Sequence, residues 1–247
     1  EEDPCCDALF PNDPDFCEAG AEAANRSMTA VPLRLVRHVV ANDLPFGEIL
    51  TADYTMANPF VGAIMGLDLS PWDDWLDESD FKAVQVVSTP NNVVTTDPIP
   101  QAGVLSTHMF LRRYITTRTN LNRMRTRIVL DRFLDIDLEG LAEFTVDQNE
   151  ILPDNPTYEG DVCRVCHAAM DPVAGFFMYR NRRGAYSVSD GENWKKAKLC
   201  SSDNVNDLTK CVRDPGYKAQ ALDPAVEAPL QVLAGHLTSD PRFGLAM

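Results

Sequence analysis

The stretch Cys163-Arg164-Val165-Cys166-His167 has the residue types and spacing for one chemistry above others. Two cysteines three positions apart lie about one helical turn from each other, so their sulfurs reach the two vinyl groups of one porphyrin, and the next residue presents an imidazole to the iron. With seven cysteines and four histidines in 247 residues, composition alone produces this pattern in roughly three chains per thousand, so the match reads as chemistry. Two other chemistries use paired cysteines. A thioredoxin-like redox pair needs a strand leading into the motif, and here a Pro- and Gly-rich loop precedes it. A zinc site needs two further ligands, for which Cys200 and Cys211 are poorly spaced. The expectation is one covalent haem c on Cys163 and Cys166, with His167 as axial iron ligand.

The residues after the motif fit this expectation. Ala168-Ala169-Met170 finish a short helix, Asp171-Pro172 end it, Gly175 turns the chain, and Phe176-Phe177-Met178-Tyr179 follow. A porphyrin face is large and apolar, so Phe176 is a candidate packing partner, although the same stripe also suits an ordinary core. Met170, three residues beyond His167, lies near the same haem face and so does not complete the coordination. The distal ligand is then His38, His108, His236, a methionine (Met109, Met124 or Met178) or nothing. His108 is the first choice, in an apolar helix that follows Gly103. Arg112, one turn beyond it, is a candidate partner for a haem propionate. Seven arginines from Arg112 to Arg132 stand among 22 basic residues. They either neutralise propionates, dock an acidic partner, or form a solvated face tied to the Asp/Glu excess.

The elements that must position these residues read as mainly α. A helix is expected over about 29 to 42, with Pro32 in its first turn and Leu35/Val39 and Val36/Val40 as apolar pairs. Shorter helices are expected from Pro45 to about Ala52 and from Pro59 to Gly66, then a turn at Pro71 to Trp75 whose aromatics fold back. Between Phe81 and Thr96, the β-branched residues from Val84 to Thr96 around Pro90-Asn91-Asn92 predict a small β-hairpin. Gly103 to Tyr114 and Asn120 to Leu134 return to helical spacing, residues 139 to 160 form a long loop, and Asp223-Pro224 and Asp240-Pro241 each resemble a helix start. There is no internal repeat and no low-complexity tract.

A formal charge of −15 argues against a nucleic-acid binder, because counterion release needs a basic surface. No run of about 18 uninterrupted apolar residues predicts a membrane span. Seven cysteines are unusual for a reduced compartment. Cys200 with Cys211 is the easiest disulfide and closes a polar loop; Cys17 with Cys5 or Cys6 is a second. The expected organisation is therefore a disulfide-held N-terminal segment over 1–26 and an irregular helical haem c domain over 27–247. The chain stops less than two turns into its last expected helix, which points to a longer native polypeptide.

Several pieces in order carry a resemblance: Asp43 to Thr55 (DLPFGEILTADYT), Gln101 to Ser106 (QAGVLS), Cys163 to His167 with Met170-Asp171-Pro172, and Leu237 to Phe243 with Ser239-Asp240-Pro241-Arg242-Phe243. Over roughly residues 30 to 247 the chain resembles the large exported proteins of planctomycetes and myxobacteria that join domains of unknown function to one haem c motif, the planctomycete-type cytochrome c proteins. Members usually carry further helical domains before the first piece and a little more chain after the last. The resemblance implies export and haem c, and no defined reaction.

Three functions compete. The first is electron transfer by a six-coordinate single haem, with redox proteins or other subunits of an assembly as partners. The second is a haem peroxidase- or oxidase-like enzyme with an open distal site. The third, favoured over a free carrier by the long portion outside the motif, is one stop in the relay of a larger redox complex. Each works in the periplasm, at the cell surface or in the extracellular space.

Overall fold

A computed structural model describes residues 14–87, 98–117, 120–138, 140, 157, 160–196, 198–199 and 211–246. The chain divides into two compact units, 1–113 and 114–247. Both are mainly helical, with small two-stranded sheets among the described residues. No described helix is long and apolar enough to cross a membrane.

In the first unit, helix α1 (Pro14–Ala41) is the longest element. It begins some fifteen residues before the expected start at 29 and runs through position 26, with Pro32 in its interior rather than its first turn. Alanine-rich sequence favours helix here, and Ala23, Ser27, Val31, Leu35 and Val39 bury one continuous stripe. Tertiary burial on that stripe outweighs the lost hydrogen bond at the proline. The Thr29 hydroxyl donates to the carbonyls of Asn25 and Arg26 in the turn just before Pro32. Of the two expected apolar pairs, Leu35/Val39 faces the core while Val40 is exposed.

The stripe meets α2 (Glu48–Thr51), strand β1 (Thr55–Ala57) and α3 (Pro59–Met65). Asn58 is fully buried and caps α3: its side-chain oxygen accepts from Val61 N at 3.0 Å, and its amide donates to Ser27 Oγ at 2.7 Å and Glu78 O at 2.9 Å. Pro59 follows at the first helical position, where its missing N–H costs nothing. Trp72 is buried as expected of a folded-back aromatic, and its indole N–H donates to Asp80 O; Trp75 is exposed.

Strand β2 (Lys82–Val84) pairs antiparallel with β1, Met56 opposite Ala83. The expected hairpin partner, residues 93–96, lies outside the described residues, but Ile99 N donates to Val86 O, so the chain does return beside itself. Gly103 to Tyr114 is not one helix. A 3-10 turn (Gly103–Ser106) is separated from α4 (His108–Arg113) by Thr107 in extended conformation. Ser106 and Thr107 hydroxyls donate to the carbonyls of Gly103 and Val104, which competes with helix continuation. Gly103 sits at φ +47°, and a Cβ there would lie 2.1 Å from Ile49 O, so both the backbone and the neighbour require glycine.

In the second unit, α5 (Arg123–Leu134) packs on α6 (Asp161–Ala174), which carries the cysteine-histidine motif and passes into a 3-10 turn (Gly175–Phe177). The helix therefore does not end at Asp171-Pro172. Proline so near a C-terminus removes one hydrogen bond only, and Val173, Ala174, Phe176 and Phe177 are buried beyond it. Gly175 is pressed against the next strand segment: an added Cβ would lie 2.6 Å from Pro215 Cγ. There follow α7 (Val188–Lys196), β3 (Lys198–Leu199) pairing parallel with β4 (Cys211–Val212), and the β5 (Gly216–Tyr217), β6 (Gln220–Ala221) antiparallel pair. Helix α8 (Pro229–Thr238) buries Leu230, Leu233, Ala234 and Leu237 at i, i+3, i+4, i+7 against the 3-10 turn, and α9 (Phe243–Ala246) closes on α5. Asp223-Pro224 does not start a helix. Asp223 Oδ1 instead accepts from Ala225 N in a local turn, and Pro229 starts α8.

The expected disulfides are not open to description. Cys5, Cys6 and Cys200 lie outside the described residues, as do the side chains of Cys17 and Cys211.

Candidate functional site

Residues 163, 166, 167 and 170 recur at i, i+3, i+4, i+7, so α6 carries Cys163, Cys166, His167 and Met170 on one face. That face is half-buried, while Arg164, Val165, Ala168 and Ala169 are exposed. Neither Cys163 nor Cys166 is in a disulfide. Cys166 Sγ donates to Leu138 O at 3.0 Å.

One turn after His167, the same helix places Asp171, which is buried at 5% exposure. Its Oδ1 lies 2.9 Å from His167 Nδ1. A carboxylate accepts and does not donate, so Nδ1 carries a proton, and in the neutral imidazole Nε2 is the nitrogen that keeps a lone pair. Nε2 has no hydrogen-bond partner among the described residues. Arg123, the first residue of α5, clamps the same carboxylate through Nε to Oδ1 at 2.7 Å and Nη2 to Oδ2 at 3.0 Å. Arg213 approaches Oδ2 at 3.8 Å while its Nη2 donates to Thr157 O. Burial pushes the Asp171 carboxyl up, but the hydrogen bonds from His167 and Arg123 outweigh it and hold it below the usual carboxylate range.

These donors fit a c-type haem. Its porphyrin supplies four of the iron's ligands, so the chain need provide two thiols and one oriented imidazole. Among the described residues no three His, Cys, Asp or Glu side chains converge to hold a metal ion by themselves.

The other sequence candidates fall as follows. Phe176 is buried at 1% exposure and meets His236 edge to face, ring centroids 6.4 Å apart; His236 also stacks on Tyr217 at 5.2 Å. His108 and the exposed Arg112 belong to α4 in the first unit, where burial and the Arg112 charge push the imidazole below its ordinary value. His38 is bonded to Asn42 and meets Tyr54 edge on. Met109 and Met124 are exposed and Met178 is buried.

The arginine series divides into unlike roles. Arg123 holds Asp171. Arg125 is fully buried and donates to the carbonyls of Tyr114, Arg180 and Asn181 and to Asn122 Oδ1, with burial pushing it down to about 9. Arg132 lies on the surface beside Asp131.

Asp171 and Arg213 were not singled out as site residues by sequence reasoning, and Arg123 entered only as one of the arginine series. The signal available for the first was its i+4 spacing from His167, which on a helix puts a carboxylate beside an imidazole. Comparison with protein-family models, with curated proteins and with solved structures returns no match to this chain.

Proposed function

We propose that this chain is a single-haem c-type cytochrome that passes electrons one at a time, outside the cytoplasm, as a subunit of a larger envelope or extracellular redox assembly. One observation carries the reading: a single helix face holds two unbridged thiols and a histidine whose Nδ1 is committed to Asp171, with Nε2 unpartnered among the described residues. Attachment requires thiols in that state. Each S–H adds across a vinyl double bond, sulfur to one carbon and hydrogen to the other, with no oxidant or reductant consumed.

Bound haem supplies the one-electron couple. The chain's own residues would do the rest: Cys163 and Cys166 would anchor the group and His167 Nε2 would ligate its iron, while Asp171 orients the imidazole through Nδ1. The charge of −15 suits a basic or cationic redox partner. The resemblance to planctomycete-type cytochrome c proteins implies export and haem c, and the long portion of chain outside the motif favours a place in an assembly over a free carrier.

Intact mass of protein made with a cytochrome c maturation system should exceed the polypeptide by about 616 Da, one haem joined through thioethers. An unmodified mass ends the proposal. Replacing both thiols, Cys163→Ala with Cys166→Ala, should give colourless protein.

The carboxylate behind His167 favours a second reading, a peroxidase- or oxidase-like enzyme with an open distal position, because it strengthens the axial donor. A low-spin six-coordinate spectrum supports transfer. A high-spin spectrum that binds cyanide readily supports the enzyme. With His108 as the distal ligand, His108→Ala should keep covalent haem and turn a low-spin spectrum high-spin, and an unchanged spectrum rejects His108.

A further inference from the structure

We propose that Asp171 and Arg123 act on His167 in opposite senses, Asp171 strengthening the imidazole as an iron donor and Arg123 restraining that effect by competing for the same carboxylate oxygen. The inference rests on the haem reading above and names the residues that tune the group.

Asp171 Oδ1 is shared. It accepts from His167 Nδ1 at 2.9 Å and from Arg123 Nε at 2.7 Å, while Arg123 Nη2 takes Oδ2 at 3.0 Å. A carboxylate that accepts the Nδ1–H bond draws that proton toward itself and leaves more electron density at Nε2. A bidentate guanidinium on the same carboxylate withdraws charge and weakens that pull. The pair is shielded, with Arg123 at 18%, His167 at 19% and Asp171 at 6% side-chain exposure, so solvent screens little of it.

An electron-rich axial ligand stabilises the more positive ferric state. Asp171 therefore lowers the reduction potential and Arg123 raises it. Both are positioning residues that act through His167, Arg123 at one further remove.

The test is a redox titration of haem-loaded protein carrying Asp171→Asn, Arg123→Gln and both. Asp171→Asn should raise the midpoint by an amount on the order of a tenfold change in the equilibrium with a fixed mediator, about 59 mV for one electron. Arg123→Gln should lower it. In the Asp171→Asn background, Arg123→Gln should have no effect, because its route to the histidine is gone. Arg132→Gln, the same charge change on the exposed part of α5, should leave the midpoint unmoved.

Shifts of the same sign in the two single variants overturn the proposal. So does an Arg123→Gln shift that persists unchanged beside Asp171→Asn, which is direct charge and not control through the carboxylate. If Asp171→Asn does not fold, a rise or no change in Arg123→Gln still rejects the proposal. Wild-type protein whose mass shows no haem removes the parent reading, a failure distinct from haem-loaded protein with unmoved potentials.

Discussion

Asp171 and Asp240 are both buried carboxylates of the second unit, and each gathers several donors around itself. Asp240 accepts from Tyr217 Oη and Lys218 Nζ at 2.7 Å and from Arg242 through Nε, Nη2 and the backbone N–H. It ties the β5–β6 turn to the short segment between α8 and α9. Asp171 ties α6 to the start of α5 and to Arg213. The partners differ in two ways. Around Asp240 the cations are half in water, Lys218 at 54% and Arg242 at 40% exposure; around Asp171 both arginines are at 18%. Only at Asp171 is one partner, among the described residues, an imidazole with a nitrogen left over. Solvent access of the partners decides how much a buried carboxylate contributes to stability, and the kind of partner decides whether it can serve chemistry.

The largest expected effect comes from removing the shielded carboxylate. Asp171→Ala removes the carboxylate that Arg123 clamps and Arg213 approaches at 18% exposure each, and breaking a buried pair of this kind costs about 3–5 kcal/mol. Asp240→Asn should cost less, about 1–3 kcal/mol, because Lys218 and Arg242 turn to water and the Tyr217 hydroxyl still finds an amide oxygen. Urea unfolding of both variants measures the contrast. Equal losses would break the comparison.

Acid should show the two carboxylates together. Burial raises Asp171 and the bonds from His167 and Arg123 lower it further than that; at Asp240 the Arg242 bonds lead, and Lys218 and Tyr217 add to them against the effect of burial. Both folded values lie below the ordinary one. A group of this sign contributes stability that is fully present above its unfolded value, about 3.9 for aspartate, and is lost as pH falls through the folded value. The second unit should therefore lose stability below about pH 4, and Asp171→Asn or Asp240→Asn should flatten that loss in urea titrations at stepped pH. A variant as acid-sensitive as the native chain would show that its carboxylate does not carry the linkage.

How far this arrangement was legible in the sequence varies with the range of the interaction. The motif itself was plain, since Cys163, Cys166 and His167 are local and their helix needs no tertiary information. The i+4 step from His167 to Asp171 was equally local, but Asp171-Pro172 reads as a helix end, and a helix assumed to stop there hides the pairing. Arg123 and Arg125 could not be told apart: they stand two residues apart in the same basic run, and only the packing of α5 on α6 sends one to a carboxylate and the other to a set of buried carbonyls. Long α1 was missed at its start because Pro32 looks like a first-turn proline, whereas the buried stripe from Ala23 to Val39 carries the helix through it. Mainly helical architecture with a small antiparallel sheet was readable from periodicity; that Lys82–Val84 pairs with Thr55–Ala57, some 27 residues earlier, was not.

The smallest expected effect falls on the exposed side of the comparison. Lys218 reaches Asp240 Oδ2 at 2.7 Å, the same distance as the Tyr217 hydroxyl, and distance alone would rank the two contacts as equals. Their surroundings do not. The Lys218 side chain is half in water and also lies over the Tyr217 ring, 5.5 Å from its centroid, so its loss forfeits a screened ion pair and a weak cation–π contact. Its backbone adds no compensating term: Lys218 sits at φ +47° in the β5–β6 turn, a conformation that any side chain with a Cβ adopts at similar cost, so Lys218→Ala changes the ion pair without relieving the turn. The variant should lose less than about 1 kcal/mol at low salt, and the difference from the native chain should vanish as ionic strength rises past the range where the Debye length falls below about 10 Å. A loss that persists in high salt would place Lys218 among the shielded partners, and the distinction between the two aspartates would then rest on the histidine alone.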